Sequence, residues 1–465
     1  MRKLWLGVAG LLVAASVVPA FAQETLPEFI KHTPCEVDMT GETIPLYHFG
    51  DLSGPFAFIT QPFLAGFADA IAYFNARGGA CGATFVSNEG EHYRDTGGNQ
   101  AQTQAHYDYF SNLEEKPKSL VLYASADAEL LRTSLAEDEI PVVISAGSVE
   151  GLYGQDGRTP GWIYATNPLY GDQLGSFCEF VAADPMNMYP DEPVIGYISW
   201  PGAFGQAAFT PEVINYCAEQ GVTILPTPEI FLPTDTDISG QVLNLVDEGA
   251  NILYTNTLAS GPALVAKTLV DLGLQGTVKL AGVNWALDTS VGLLGSATLG
   301  SNGLPAVTGL VGSLPFRWYT EVQHPGIALI REQFAANNRQ PQQQNIAYLL
   351  GWATIDMYIE IYTQTANRVG SYDAITGADI KETLDNIKYG PLGGIFEADF
   401  KGGEMRALSQ NRMAIMQFLN KAGNGPATSG EDAATITAPN GATLFVPLVV
   451  PITEFAPAPD LRPGG

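Results

Sequence analysis

From residue 44 to 145, short apolar runs alternate with segments whose apolar residues recur every three or four positions. Residues 45–49, 83–87, 119–123 and 141–145 read as strands. Residues 61–76 place Phe63, Phe67, Ala70, Ile71 and Phe74 on one helical face, with Thr60 as N-cap and Gly78-Gly79 as the stop. Residues 98–112 and 130–136 read as further helices. The rhythm restarts after Pro168: helices over 170–183, 207–219, 239–248 and 263–272 alternate with strands over 194–199, 222–226, 251–256 and 277–281. A third block holds a strand over 308–314, helices over 326–337, 345–365 and 377–386, and strands near 394–400 and 414–420. Such alternation implies parallel sheets with helices on both faces. The last stretch, 423–465, is rich in Gly, Pro, Ala and Thr and reads as an irregular tail.

The composition narrows the class. Hydrophobic residues make up 46% and charged residues 15% of the chain, which excludes global disorder. A formal charge of −27 argues against nucleic acid or an anionic membrane surface as partner. Arg2 and Lys3, an apolar run from Leu4 to Val18, and Ala20-Phe21-Ala22 form the pattern of a secretory signal peptide over 1–22, so the protein is expected in the periplasm. Four cysteines in an exported chain imply two disulfides with three possible pairings. Cys35–Cys81 and Cys178–Cys217 are favoured, because each pair joins neighbouring elements.

Several motifs, in order, carry a family likeness. Gly50-Asp51-Leu52-Ser53-Gly54-Pro55 follows the first strand, and the next helix ends in Phe74-Asn75-Ala76-Arg77-Gly78-Gly79-Ala80-Cys81-Gly82. Ile140-Pro141-Val142-Val143-Ile144-Ser145, Trp200-Pro201-Gly202-Ala203-Phe204-Gly205, Thr236-Asp237-Ile238-Ser239, Tyr389-Gly390-Pro391-Leu392-Gly393-Gly394 and Phe400-Lys401-Gly402-Gly403 continue the series. Together they resemble the branched-chain amino-acid-binding (Leu/Ile/Val-binding) proteins of ABC importers, over about residues 44–419. The resemblance implies an α/β type I periplasmic binding protein: two Rossmann-like lobes joined by three crossovers, near 166–169, 314–318 and 396–401. Lobe one would comprise 23–166 plus 316–396, and lobe two 167–315 plus 397–422. A solute would bind between the lobes and be buried by hinge closure. The implied partners are a small solute and an inner-membrane ABC permease, with the receptor a monomer and no cofactor.

Ligands of open α/β sheets sit beyond the carboxyl ends of the strands, so candidate residues lie on the loops there. In the first loop they are Ser53 and Phe58 or Ile59, the latter pair matching a side chain that covers the ligand or simply capping the helix with a hydrophobe. Ser125 and Asp127 follow the third strand, where helix capping is the competing role. Ser145, Ala146, Gly147 and Ser148 form the expected carboxylate cradle, small enough for a ligand to approach the backbone. From the second lobe come Phe204, Asn256, Thr257, Asn284 and Trp285. The family's amino-acid binders place a glutamate for the ligand ammonium close to Asn284, and this chain has no acid there. Asp51 or Asp127 could take over that charge, or the ligand lacks an ammonium. Amino acids, amides and carboxylates are the expected solutes.

Catalytic signatures are missing from the sequence: no GxSxG, no HExxH, no phosphate loop ending in Lys-Ser/Thr. Asp235-Thr236-Asp237-Ile238-Ser239-Gly240 mimics the start of a calcium loop, but its twelfth position is Val246 instead of glutamate. A transport receptor is therefore expected, with a periplasmic sensor as the alternative and an exported hydrolase behind both.

Overall fold

The computed structural model describes residues 25–145, 147–438 and 440–464; the signal-peptide segment 1–22 lies outside them. Two sheets organise the chain. The first has five parallel strands in the order Tyr93–Asp95, Tyr47–Gly50, Leu120–Leu122, Val142–Ile144, Ile163–Ala165. The second runs Glu229–Ile230, Val194–Ser199, Ile252–Thr255, Lys279–Gly282, Val311–Ser313, Met413–Phe418, Pro447–Pro451, with Thr223–Ile224 also on Val194–Ser199. Its last two strands are antiparallel additions. Apolar strands such as LVL and VVI are buried along their whole length, as parallel strands covered on both faces require.

Lobe one is built on the pairing of the helices Ala57–Asn75 and Ile346–Val369. They approach at Gly66 and Gly351: a Cβ on Gly66 would lie 2.6 Å from the Tyr348 carbonyl, and one on Gly351 3.0 Å from that of Phe63. Only glycine allows this backbone contact, which then seats Phe63, Phe67, Phe74 and Trp352 in one core. Full burial of each such side chain contributes about 1.5–3 kcal/mol. Ala57–Asn75 is apolar and long enough to span a membrane, and its packing inside lobe one accounts for that composition.

The disulfides Cys35–Cys81 and Cys178–Cys217 form as expected, with Cα–Cα distances of 5.5 and 5.4 Å. Elsewhere the structure departs from the sequence reading. The first long helix starts at Ala57, so Thr60 is inside it and not its cap. The helix expected over 130–136 begins earlier, at Ser125. Asp237 caps a turn, accepting from the Ser239 N–H at 2.9 Å, and the described residues contain no group of acids, histidines or cysteines able to hold a metal. The tail is not irregular throughout. Pro447–Pro451 is a full strand on Met413–Phe418, and Thr435–Thr437 pairs with Thr443–Phe445. Arg406 still pairs with Ala165 at the end of a lobe-one strand, and the lobe-two strand starts at Met413.

Candidate functional site

In each sheet the chain leaves one strand in one direction and returns on the other side. This occurs between Tyr47–Gly50 and Leu120–Leu122 in lobe one, and between Val194–Ser199 and Ile252–Thr255 in lobe two. Such switch points leave a crevice beyond the carboxyl ends of the strands. A cavity of ≈ 270 Å³ lies there, walled from lobe one by Asp51, Phe56, Ile59, Thr60, Gln100 and 123–127, and from lobe two by Tyr170, 200–204, Pro233, Leu258 and Trp285. That is just below the ~300–1,000 Å³ typical of drug-sized ligands. The lobes touch across it: Phe56 and Trp200 have ring centroids 5.7 Å apart, and Phe63 and Trp285 6.4 Å.

On the lobe-one side, Asp51 staples its own loop, accepting from the Gly54 N–H at 2.5 Å and the Phe56 N–H at 2.8 Å. This turn starts the helix at Ala57 and aims Phe56 at the other lobe. The ring of Tyr123 is fixed from behind, its hydroxyl hydrogen-bonded to His48 Nδ1 at 2.5 Å, while His48 Nε2 is 3.0 Å from Ser87 Oγ. Burial pushes the His48 imidazole down to about 3, aided by His92, so it is neutral and Nδ1 can accept. Asp127 is buried and accepts from Thr103 Oγ1 at 2.9 Å through Oδ1. Among the described residues, its Oδ2 takes no hydrogen bond from the protein. Burial pushes the Asp127 carboxyl up to about 6; Thr103 pulls it down and Asp51 adds to the rise.

The lobe-two wall is aromatic. Phe204, on the single turn Gly202–Gly205, packs edge-on against Tyr170 at 5.1 Å and faces Trp200 at 6.4 Å. Asn256 holds that turn in place, its Nδ2 donating to the Phe204 carbonyl at 2.7 Å. Burial pushes the Tyr170 phenol up, while Ser125 and Trp285 beside it pull the other way. The Ser125 Oγ is buried and has no aligned protein partner.

Of the residues expected at the site, Ile59, Ser125, Asp127, Phe204 and Trp285 line the cavity together. The others do not. Ser53 is exposed on the loop and Phe58 half-buried outside the lining. Ser145, Gly147 and Ser148 stand away from the cavity: Ser148 caps the helix Val149–Tyr153 and donates to Glu129 Oε1 at 2.5 Å. Ala146 lies outside the described residues. Asn256 acts from behind through Phe204, Thr257 meets Thr255 hydroxyl to hydroxyl at 2.8 Å, and Asn284 is buried with its N–H on Gln173 Oε1 at 3.0 Å. Phe56, Thr60, Gln100, Tyr123, Tyr170, Trp200 and Leu258 line the cavity without having been singled out as site residues. Trp200 and Tyr123 carried a readable signal, each standing at the end of a strand. Gln100 and Leu258 carried none.

A larger depression of ≈ 620 Å³ beside Cys35–Cys81 is lined by residues 26, 32–38, 40, 77–79, 81–82 and 363. Its lining includes no residue of the second sheet and lies off the carboxyl ends of the strands.

The family model described as periplasmic binding protein matches residues 43–424. The chain belongs to that family. A branched-chain amino-acid ABC transporter protein from Thermus thermophilus with bound valine is similar in structure: TM-score 0.65, 17% identity, covering 90% of this chain and 98% of its own. The substrate-binding protein of an Aeropyrum pernix ABC transporter gives TM-score 0.68 and 17% identity, covering 90% and 97%. A solute-binding protein from R. palustris in complex with 4-hydroxybenzoate gives 0.64 and 16%, covering 81% and 93%. At these identities the likeness concerns the fold. No curated protein matches the sequence. As a periplasmic binding protein, the chain has the two-lobed α/β architecture in which the cavity described above falls between the lobes.

Proposed function

We propose that this periplasmic binding protein is the solute receptor of an ABC importer. It traps one small molecule between its lobes and presents the closed form to a membrane permease. The observation that carries the reading is the cavity at the switch points of both sheets, walled by both lobes. Residues 166–169, 314–318 and the stretch leading into the strand at Met413 connect the lobes and act as the hinge, and a solute shifts the open–closed balance through contacts that exist only when both walls meet. The receptor works in the periplasm as a single copy and needs no cofactor. In this reading the lining side chains hold and orient a solute. The sequence favours amino acids, amides or carboxylates; the charge of the cavity walls points away from carboxylates, toward a cation.

The test is thermal unfolding of ligand-stripped protein against a panel of small cations, anions, zwitterions and neutral molecules. A solute at 100 times its dissociation constant adds about 2.7 kcal/mol to stability, so one chemical class should raise the midpoint clearly. Turnover of a panel member, or a flat response to every class, refutes the receptor reading.

A further inference from the structure

We infer that the solute is an organic cation, a compact apolar or aromatic body carrying one charged nitrogen and no carboxylate. The inference rests on the receptor reading and narrows it. The side chains lining the cavity include two carboxylates, Asp51 and Asp127, and no lysine, arginine or histidine. Asp51 spends its oxygens on the Gly54 and Phe56 N–H groups. Asp127 offers Oδ2 with no protein donor, in surroundings where an unpaired charge is costly. A ligand ammonium supplies the missing partner through a charge-assisted bond.

The rest of the wall suits the same guest. Phe56, Tyr123, Trp200, Phe204 and Trp285 line the cavity, and aromatic rings attract a desolvated cation. A carboxylate solute would meet two like charges. The donor feature available to it, the start of the helix Ser125–Glu137, already carries Asp127 in its first turn, which neutralises the positive end of the helix dipole. An amino acid would bring its own carboxylate into that field.

The experiment is calorimetric titration of the dialysed full chain with benzyltrimethylammonium, phenethylammonium, benzyl alcohol, 4-hydroxybenzoate and L-valine. Both cations should bind at least tenfold tighter than the other three. Asp127→Asn should weaken the cations at least tenfold while leaving benzyl alcohol within about twofold, with its unliganded unfolding midpoint confirming the fold. Trp200→Leu supplies an independent arm and should weaken benzyltrimethylammonium more than benzyl alcohol. Tighter binding of 4-hydroxybenzoate or valine overturns the cation inference and leaves the receptor standing. Unchanged cation affinity in Asp127→Asn also overturns it. No binding by any probe overturns this inference, and a flat response of the wider thermal panel would then remove the receptor reading as well.

Discussion

Arg406 sits just before the strand Met413–Phe418, fully buried, with its guanidinium divided among four parts of the chain. Nε bonds Asp172 Oδ2 at 2.7 Å on the first helix of lobe two, Nη2 bonds Asp460 Oδ1 at 2.7 Å on the tail, and Nη1 bonds Glu404 Oε1 at 2.6 Å and the Tyr153 hydroxyl at 2.8 Å. Burial works against the Arg406 charge, but Asp172, Tyr153 and Glu404 outweigh it and raise the pKa. Burial likewise pushes the Asp172 carboxyl up, with Arg406 pulling it back. Arg406→Met keeps the apolar bulk and leaves Asp172 buried without a cation, a change that costs about 3–5 kcal/mol. For 465 residues, at ~2.1 cal/mol/K each, that lowers the melting midpoint by roughly 3–5 °C. Urea unfolding, read by fluorescence with the slope unchanged, measures the loss. Adding Asp172→Asn removes the stranded charge and should recover about half of it. A single variant within about 1 kcal/mol of the parent, or a double variant no better than the single, would refute the reasoning.

Three other outcomes follow from the same structure. Replacing Cys178 and Cys217 by alanine frees a loop of 39 residues and should cost about 4 kcal/mol in non-reducing urea unfolding, as loop-closure entropy gives. Asn256→Ala removes the bond that holds the Phe204 turn; stability should fall by about 1–2 kcal/mol and calorimetry should show several-fold weaker binding of benzyltrimethylammonium. Affinity for that same probe, which has no proton to lose, should rise as pH climbs through the Asp127 value of about 6. Only the ionised carboxylate attracts the cation, so titrations at pH 5 and pH 7 should differ by about tenfold, and Asp127→Asn should flatten the dependence. The charged and polar groups set against Asp127 are Asp51 on its loop and Thr103 on the neighbouring helix. Tyr170, raised by burial, stays neutral throughout.

The sequence by itself determined the alternation of strands and helices and the two-lobe plan. The helix Tyr170–Ala183 and the strand Val194–Ser199 have the bounds that hydrophobic spacing indicates, because each element must bury one face or both, and the period of that face is written in neighbouring residues. Strand ends, and hence loops able to carry a site, were legible for the same reason. Ser125, Asp127 and Phe204 stand just beyond such strand ends, in the first turn of a helix or on a single helical turn. Tertiary structure alone decided which loops share a wall. Ser145 and Ser148 follow a buried strand just as Ser125 does, yet Ser148 is turned to Glu129 and the next helix, while Phe56 reaches the cavity through a turn set by Asp51. The strand Pro447–Pro451 was hidden too, since its pairing to Met413–Phe418 depends on a partner distant in sequence and not on its own composition. The sign of charge in the cavity was undecided for the same physical reason. Acids are plentiful along this chain, and only long-range packing selects the two that line the cavity with no lysine, arginine or histidine among the other lining side chains.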